Sequence, residues 1–430
     1  MTGHLGIGRR TLAKAGLATA ALGGIGVRRA RAQEQVQLTF AVWAAQAEEA
    51  AFNAVVSRYE AAHPNVKVKL EINGTGAQLY QNVDTRLAGR QAPDLFRCQY
   101  QQIGRYAAAR AVVDLGKYVD ASAAEGFAPA FWKAVNYKGK PYALPHHTDT
   151  FALYVNRDWL QKLGAEMPKS IDKSWTWQEF ITLARAMKEK AGAPYGFAMS
   201  WQGTAAYRWL PFLYQHGGTL LNEDLSAPTL GNQKGIETIA WTQSWFKDQL
   251  VPPSTSIKSA EQPQNLFANG TIGLLLAGDW QIPFLSKNMT KWGWDVTYMP
   301  RDVAMASDLG GNCVAVSRDS KHPEVAADFL KFLTDPDNMR DFCVTAQFLP
   351  VRKSLMSGDV KYTQRSDAMN VFVEQATTIP AHMVATETMP QFSKINAVLI
   401  DQLDLAFTSG QDPAATAKNI DTAVQSVLAA

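Results

Sequence analysis

Apolar and amphipathic segments alternate along residues 37–98, and this order constrains the fold more than any other feature. Residues 37–43 (QLTFAVW) have the continuous apolar character of a buried strand, and residues 66–72 alternate apolar with charged side chains, as in a half-exposed strand. Between them, residues 52–59 carry apolar side chains at helical spacing. A second helix is predicted before a third strand at residues 93–98. Strand–helix–strand–helix–strand order predicts an α/β fold with a parallel sheet.

The first 32 residues differ from the rest of the chain in composition. They contain six basic residues and no acidic one, an apolar run over residues 15–27, and the small-x-small sequence Ala30-Arg31-Ala32. The run is shorter than the roughly 20 residues that span a bilayer. This layout predicts a secretory signal peptide over residues 1–32. The pair Arg9-Arg10 followed by Leu12 and Lys14 resembles the twin-arginine export motif, so we expect export across a bacterial inner membrane to the periplasm.

The charge of the chain depends on that segment. The whole chain has 42 basic and 39 acidic residues, whereas without its six N-terminal basic residues it has 36 basic and 39 acidic ones. A mildly acidic protein lacks the charge of a nucleic-acid binder. No later segment has 18 consecutive apolar residues, so we expect no membrane span.

Sequence motifs for catalysis and metal binding are missing. The chain has no HExxH, GxSxG or Walker A motif, so we predict that it is not an enzyme. Cys98, Cys313 and Cys343 match no zinc spacing, and buried free thiols are the simplest interpretation. We expect no cofactor and no metal.

An ordered series of short segments carries a family resemblance. The segments are YKGKPYALP (137–145), LYVNRD (153–158), SWTWQEF (174–180), GG and LNED (217–224), FANGT and GDW (267–280), GGN (310–312), and SKHPE (320–324). Together they resemble the sugar-binding family of extracellular solute-binding proteins of ABC importers, to which maltose-binding protein belongs. The resemblance extends over essentially all of residues 36–430.

The resemblance implies a fold and a function. The fold would be α/β, with two lobes that are each a mainly parallel sheet flanked by helices and are joined by a multi-segment hinge. The first lobe would comprise residues 33–146 and 306–349, and the second residues 147–305 and 350–430. The protein, expected to be a monomer, would capture a mono- or oligosaccharide in the interlobe cleft and deliver it to the membrane subunits of an ABC permease.

A sugar site needs aromatic platforms for apolar C–H faces and planar polar groups for hydroxyls. Trp280 is the stacking aromatic that the resemblance implies, with Asp279 beside it as a hydroxyl acceptor or a helix cap. The turn before residue 313 contributes Gly311 and Asn312, because glycine lets a backbone approach a ligand closely. The third strand is followed by Gln99 and Tyr100, and the first crossing contains His147 and Asp149. The resemblance implies polar contacts from the loop after the first strand, which holds Gln46 and Glu48, and aromatic contacts near Trp201 and Tyr207. It also implies an arginine near the last crossing, where Arg352 lies.

Alternatives stay open at this point. Each candidate aromatic could be a core residue, and Gln46, Glu48 and Arg352 could be ordinary surface residues. The same fold could bind a charged solute such as a sugar phosphate, a sugar acid or a polyamine. An exported carbohydrate-active enzyme could use two carboxylates such as Glu48 and Asp149, as glycosidases do.

Overall fold

Two β-sheets, each flanked by helices, form the framework of the chain. The computed structural model describes residues 35–120, 122–202, 205–356 and 360–430, so the signal peptide predicted over residues 1–32 lies outside the described residues. The strands are β1 (Val36–Trp43), β2 (Val66–Asn73), β3 (Leu95–Gln99), β4 (Asn136–Tyr137), β5 (Lys140–Pro141), β6 (Leu144–His147), β7 (Phe151–Asn156), β8 (Tyr195–Met199), β9 (Ile272–Gly278), β10 (Trp294–Thr297) and β11 (Asn312–Val316).

The helices pack on these sheets and on one another. In chain order they are α1 (Gln46–Ala62), α2 (Gly76–Ala88), α3 (Tyr100–Ala108), α4 (Ala123–Gly126), α5 (Pro129–Ala134), α6 (Arg157–Lys162), α7 (Trp177–Ala186), α8 (Leu210–Gln215), α9 (Gln233–Lys247), α10 (Pro263–Ala268), α11 (Ile282–Asn288), α12 (Pro323–Leu333), α13 (Pro336–Ala346), α14 (Ser366–Ala376), α15 (Ala381–Thr388), α16 (Phe392–Ser409) and α17 (Pro413–Ala429).

One strand in each sheet runs against the others. The first sheet has the order β2-β1-β3-β11-β6, and only β11 is antiparallel to its neighbours. The second has the order β10-β7-β9-β8, and only β7 is reversed. Both reversed strands receive the chain from the other sheet, so they begin at the edge where the remaining strands end. The expected mainly parallel sheets of two α/β lobes are therefore confirmed, with one reversed strand each.

Three segments connect the two lobes. The chain passes from β6 to β7 through residues 148–150, returns from β10 to β11 through residues 298–311, and crosses again between α13 and α14. Thr148 and Leu349 exchange backbone hydrogen bonds of 2.8 and 3.0 Å, so the first crossing is tied to the third.

Two of the predicted lobe boundaries are displaced in the structure. His147, assigned to the second lobe, ends β6 of the first sheet because it pairs with Asn312. Val351 and Arg352, also assigned to the second lobe, pack on the first. Val351 is buried in the core of the first lobe, and the guanidinium of Arg352 lies 3.8 Å from the ring centroid of Phe127.

No helix among the described residues is both long and apolar enough to span a membrane.

A capping box at Thr176 begins α7. Thr176 Oγ1 accepts from Glu179 N at 3.2 Å, and Glu179 Oε2 accepts from Thr176 N at 2.7 Å. We expect Thr176→Ala to lower the free energy of unfolding by about 1 kcal/mol, because the Glu179 backbone N–H loses its acceptor. Urea denaturation measures the change. The matched control is Thr182→Ala on the exposed face of the same helix, which we expect to be neutral or slightly stabilising. Equal losses in both variants would contradict the capping role.

Candidate functional site

A cavity of about 1260 Å³ lies where the strands of both sheets end, and it is lined from both lobes. The first lobe contributes the start of α1, the start of α2 and the end of β3. The second contributes the helical turn Ala206–Trp209 and the start of α11. Ligands bind at the carboxyl ends of strands in open α/β sheets, and this position follows that rule.

Most of the residues predicted for the site line this cavity. Those in the lining are Gln46, Glu48, Gln99, Asp149, Tyr207, Trp280, Gly311 and Asn312. Those that are not in the lining are Asp279, Tyr100, His147, Trp201 and Arg352.

The five residues outside the lining have structural contacts of their own. Tyr100 is buried and its hydroxyl donates to the His147 carbonyl at 3.1 Å. Trp201 is buried in the second core beside Phe407, 6.1 Å between ring centroids. Arg352 Nε donates to the Thr334 carbonyl at 2.7 Å. The Oδ1 atom of Asp279 accepts from the backbone N–H of Trp280, so Asp279 closes the turn that carries Trp280.

Arg97 organises the first-lobe wall, and the sequence-based prediction missed it. The side chain is 1 % exposed, and its Nη1 lies 2.7 Å from Glu48 Oε1 and donates to the Trp43 carbonyl at 2.6 Å. The guanidinium also lies 4.3 Å from the Trp43 ring centroid. The available signal was a charge in an otherwise apolar strand, since buried charges need a buried partner.

His147 supports this wall from behind. Its Nε2 lies 3.0 Å from Arg97 Nη2 and 3.2 Å from Asn312 Nδ2. Both partners can only donate there, so Nε2 accepts and the ring is neutral. Burial and the charge of Arg97 hold the pKa of His147 well below its usual value, which agrees with a neutral ring. The contact orients the Asn312 amide, whose buried Oδ1 has no hydrogen-bond partner among the described residues.

The second-lobe wall combines aromatic rings with a buried arginine. The guanidinium of Arg208 lies 4.8 Å from the ring centroids of both Trp280 and Phe151. Arg208 is 3 % exposed, its Nη1 donates to the Ser200 carbonyl at 2.8 Å, and its Nε lies 3.7 Å from Asp308 Oδ2. Neither Arg208 nor Asp308 was predicted, because nothing in a single sequence marks their mutual contact.

A glycine turn beside the cavity lets two crossing segments pack closely. Gly311 has φ +89°, which L side chains rarely adopt, and an added Cβ would collide with the backbone of His147 and Thr148. At Gly310 a Cβ would meet the carboxyl group of Asp149. The turn therefore needs glycine at both positions for the first and second crossings to approach each other.

Buried carboxyl groups gather at the same place. Burial and the neighbouring Asp308 raise the pKa of Asp149 to about 7, while Arg208 and Arg97 act in the opposite direction. Burial raises the pKa of Asp308 to about 6 and the pKa of Asp279 well above its usual value. The carboxyl of Asp149 is the one of these three in the cavity lining.

A two-lobed α/β protein with a ligand-sized cavity of aromatic and polar residues at the hinge belongs to the class of two-lobe binding proteins. The family model of the bacterial extracellular solute-binding proteins matches residues 43–340. The chain belongs to this family, whose members are binding proteins that act outside the cytoplasm.

Named relatives agree with this membership. The galactooligosaccharide-binding protein of Bacillus subtilis is 22% identical, and the match covers 86% of this chain and 85% of that protein. The fold is similar to that of an ABC substrate-binding protein from Listeria monocytogenes in complex with cycloalternan, with a TM-score of 0.80, 21% identity, and coverage of 92% and 100%. It is also similar to a solute-binding protein from Thermotoga lettingae bound with α-D-tagatose, with a TM-score of 0.79, 20% identity, and coverage of 91% and 100%.

The pKa of Asp149 predicts an unusual pH dependence of stability. Because the folded state holds this proton more tightly than the unfolded chain, the contribution of Asp149 falls as the pH rises from about 4 to about 7. The Asp149→Asn variant has no carboxyl group to titrate at this position, so it does not lose stability in this way. We expect the free energy of unfolding of the variant, relative to the wild type, to increase between pH 5 and pH 8, by at most about 1.4 kcal/mol per pH unit.

A carboxyl group with the opposite shift serves as control. Arg365 hydrogen-bonds to Asp367 and lowers its pKa, so the contribution of Asp367 is complete above pH 4 and is lost only at lower pH. The difference between Asp367→Asn and the wild type should stay constant from pH 5 to pH 8. Denaturant unfolding at both pH values measures both variants, and an equally constant difference for Asp149→Asn would contradict the raised pKa.

Proposed function

We propose that this protein captures a carbohydrate in the interlobe cavity and delivers it to the membrane subunits of an ABC permease. The observation that carries the proposal is the composition of the cavity wall. Trp43, Tyr80, Tyr207 and Trp280 supply aromatic surface from both lobes, and amides and carboxylates stand between them. Aromatic rings bind apolar sugar faces while the planar polar groups pair with hydroxyls. The named ligands of the relatives, cycloalternan, α-D-tagatose and galactooligosaccharide, support the same class.

The mechanism follows from the two lobes. A ligand that contacts both walls stabilises the closed arrangement, because the open arrangement lacks half of those contacts. Gln99 Nε2 and the Tyr207 hydroxyl, one on each wall, already lie 3.5 Å apart. The closed protein, acting as a monomer in the periplasm after twin-arginine export, would then dock on the permease. Nucleic acid has no part in this function.

An enzymatic role has less support from the site. A glycosidase needs one free carboxyl group as an acid and another as a nucleophile or base. Glu48 is not free, since its Oε1 pairs with Arg97 and its Oε2 accepts from the backbone N–H of Ala45 at 2.6 Å. We therefore propose binding without catalysis, and incubation with labelled oligosaccharides should return them unchanged.

Trp280 tests the proposal. We expect Trp280→Ala to weaken sugar binding at least about tenfold, because the ligand loses a stacking surface. Isothermal titration calorimetry over a panel of neutral mono- and oligosaccharides measures the affinity, and a rise in melting temperature with ligand confirms binding to the folded state.

Trp292→Ala is the matched control. Trp292 is also half-buried but packs on Trp159, 5.4 Å between ring centroids, and is absent from the cavity lining. This variant should bind as the wild type does. Wild-type affinity in Trp280→Ala would show that the site lies elsewhere, and hydrolysis of any panel sugar would contradict a pure binding role.

A further inference from the structure

One terminal nitrogen of Arg208 has no hydrogen-bond or ion-pair partner among the described residues. Nη1 donates to the Ser200 carbonyl and Nε faces Asp308, as described above, whereas Nη2 donates to no atom of the described residues. Arg208 belongs to the cavity lining although its side chain is almost completely buried. The rings of Trp280 and Phe151 hold the planar guanidinium in place, so the free edge has a fixed direction.

Asp149 provides an acceptor close to this donor. Its side chain lines the cavity, is 7 % exposed and forms no salt bridge within the described residues. Three charged groups act on the Asp149 carboxyl. Asp308 disfavours the ionised form of Asp149, whereas Arg208 and Arg97 favour it. Asp279 is also buried, and the charge of Asp149 adds to the effect of burial in raising the pKa of Asp279. A donor and an acceptor are thus both present in the cavity lining, and the donor lies beside the Trp280 ring.

We propose that Arg208 determines which ligand is accepted, with Nη2 donating to one hydroxyl of a neutral sugar unit on Trp280 while Asp149 accepts from another hydroxyl. The inference rests on the proposed carbohydrate function and adds the charge of the ligand to it. Charged nitrogens and carboxylates make stronger hydrogen bonds than neutral groups, and both are oriented here before the ligand arrives.

Neutrality follows from the pairing of the other charges. Arg97 is already opposite Glu48, and Arg208 is already opposite Asp308. An anionic group next to Arg208 would also meet Asp149 and Asp308. A cationic group next to Asp149 would meet Arg208 and Arg97 instead. Repulsion between like charges stays strong where little water is present. An anionic or a cationic ligand is therefore disfavoured, whereas a hydroxyl can pair with both Arg208 and Asp149.

The experiment measures affinity by calorimetry with a panel of neutral sugars (maltose, maltotriose, galactose and galactooligosaccharides) and a panel of acidic ones (galacturonic acid, trigalacturonate and glucose 6-phosphate). We expect the wild type to bind a neutral sugar. Arg208→Gln should weaken that binding about 10- to 100-fold, as expected for a lost hydrogen bond to a charged group. Arg208→Lys should recover only part of it, since an ammonium group does not reproduce the planar edge.

Two further measurements separate recognition from structural damage. The double variant Arg208→Gln/Asp308→Asn removes both partners of the buried pair, so it avoids an unpaired charge and should still show the loss. Monodeoxy analogues of the bound sugar should identify one hydroxyl whose removal weakens wild-type binding but not binding to Arg208→Gln. Arg352→Gln is the control, because that arginine also lies over an aromatic ring but outside the cavity lining, and its affinity should be unchanged.

Proton linkage tests Asp149. A hydroxyl that donates to the carboxylate favours its ionised form, so affinity should increase as the pH rises through about 7 and level off above it. Asp149→Asn should bind more weakly and lose this dependence.

The outcomes distinguish a failure of this inference from a failure of the proposed carbohydrate function. If Arg208→Gln binds the neutral sugar like the wild type, or if only acidic sugars bind, the inference is wrong while carbohydrate capture stands. If no sugar of either panel binds, carbohydrate capture itself is wrong and the inference fails with it.

Discussion

Hydrogen bonds between the crossing segments are the constraint on which the rest of the structure depends. Thr150 Oγ1 donates to Ser307 Oγ at 2.6 Å, and Asp308 Oδ1 accepts from the Phe151 backbone N–H at 2.7 Å. These contacts join the first crossing to the second exactly where β7 begins. Since the strands of both sheets end or begin here, any displacement of the crossings would change the position of one cavity wall relative to the other.

The same constraint explains why charge is buried at the hinge. Asp308 satisfies backbone donors that water cannot reach, but an ionised carboxylate in that position needs a counter-charge. Arg208 is that counter-charge, and it also belongs to the cavity lining. Burial raises the pKa of both Asp149 and Asp308, and the neighbouring Asp308 raises the pKa of Asp149 further. If the proposed recognition by Arg208 and Asp149 holds, hinge geometry and ligand recognition depend on one cluster of polar side chains.

Local patterns predicted much of the fold. A continuous apolar run located β1, apolar alternation located β2, and the resemblance supplied the two lobes and eight residues of the cavity lining. Local patterns fail where a residue's role is decided by a distant partner. Arg97 can lie buried in the cavity wall because Glu48 comes to it from another element, and Trp201 packs on Phe407 more than 200 positions later in the chain. The sequence shows that such residues exist but not which contacts bury them.

Trp280 shows how ligand contact and lobe closure can be one event. Its ring is half-buried and packs against the cores of both lobes, while its exposed part lines the cavity. Arg208 on one side of this contact is connected through Asp308 to the crossing segments. A sugar stacked on Trp280 therefore contacts a residue whose position depends on the arrangement of the two lobes. Binding that favours one position of this ring also favours one arrangement of the hinge, which is the coupling that capture by closure requires.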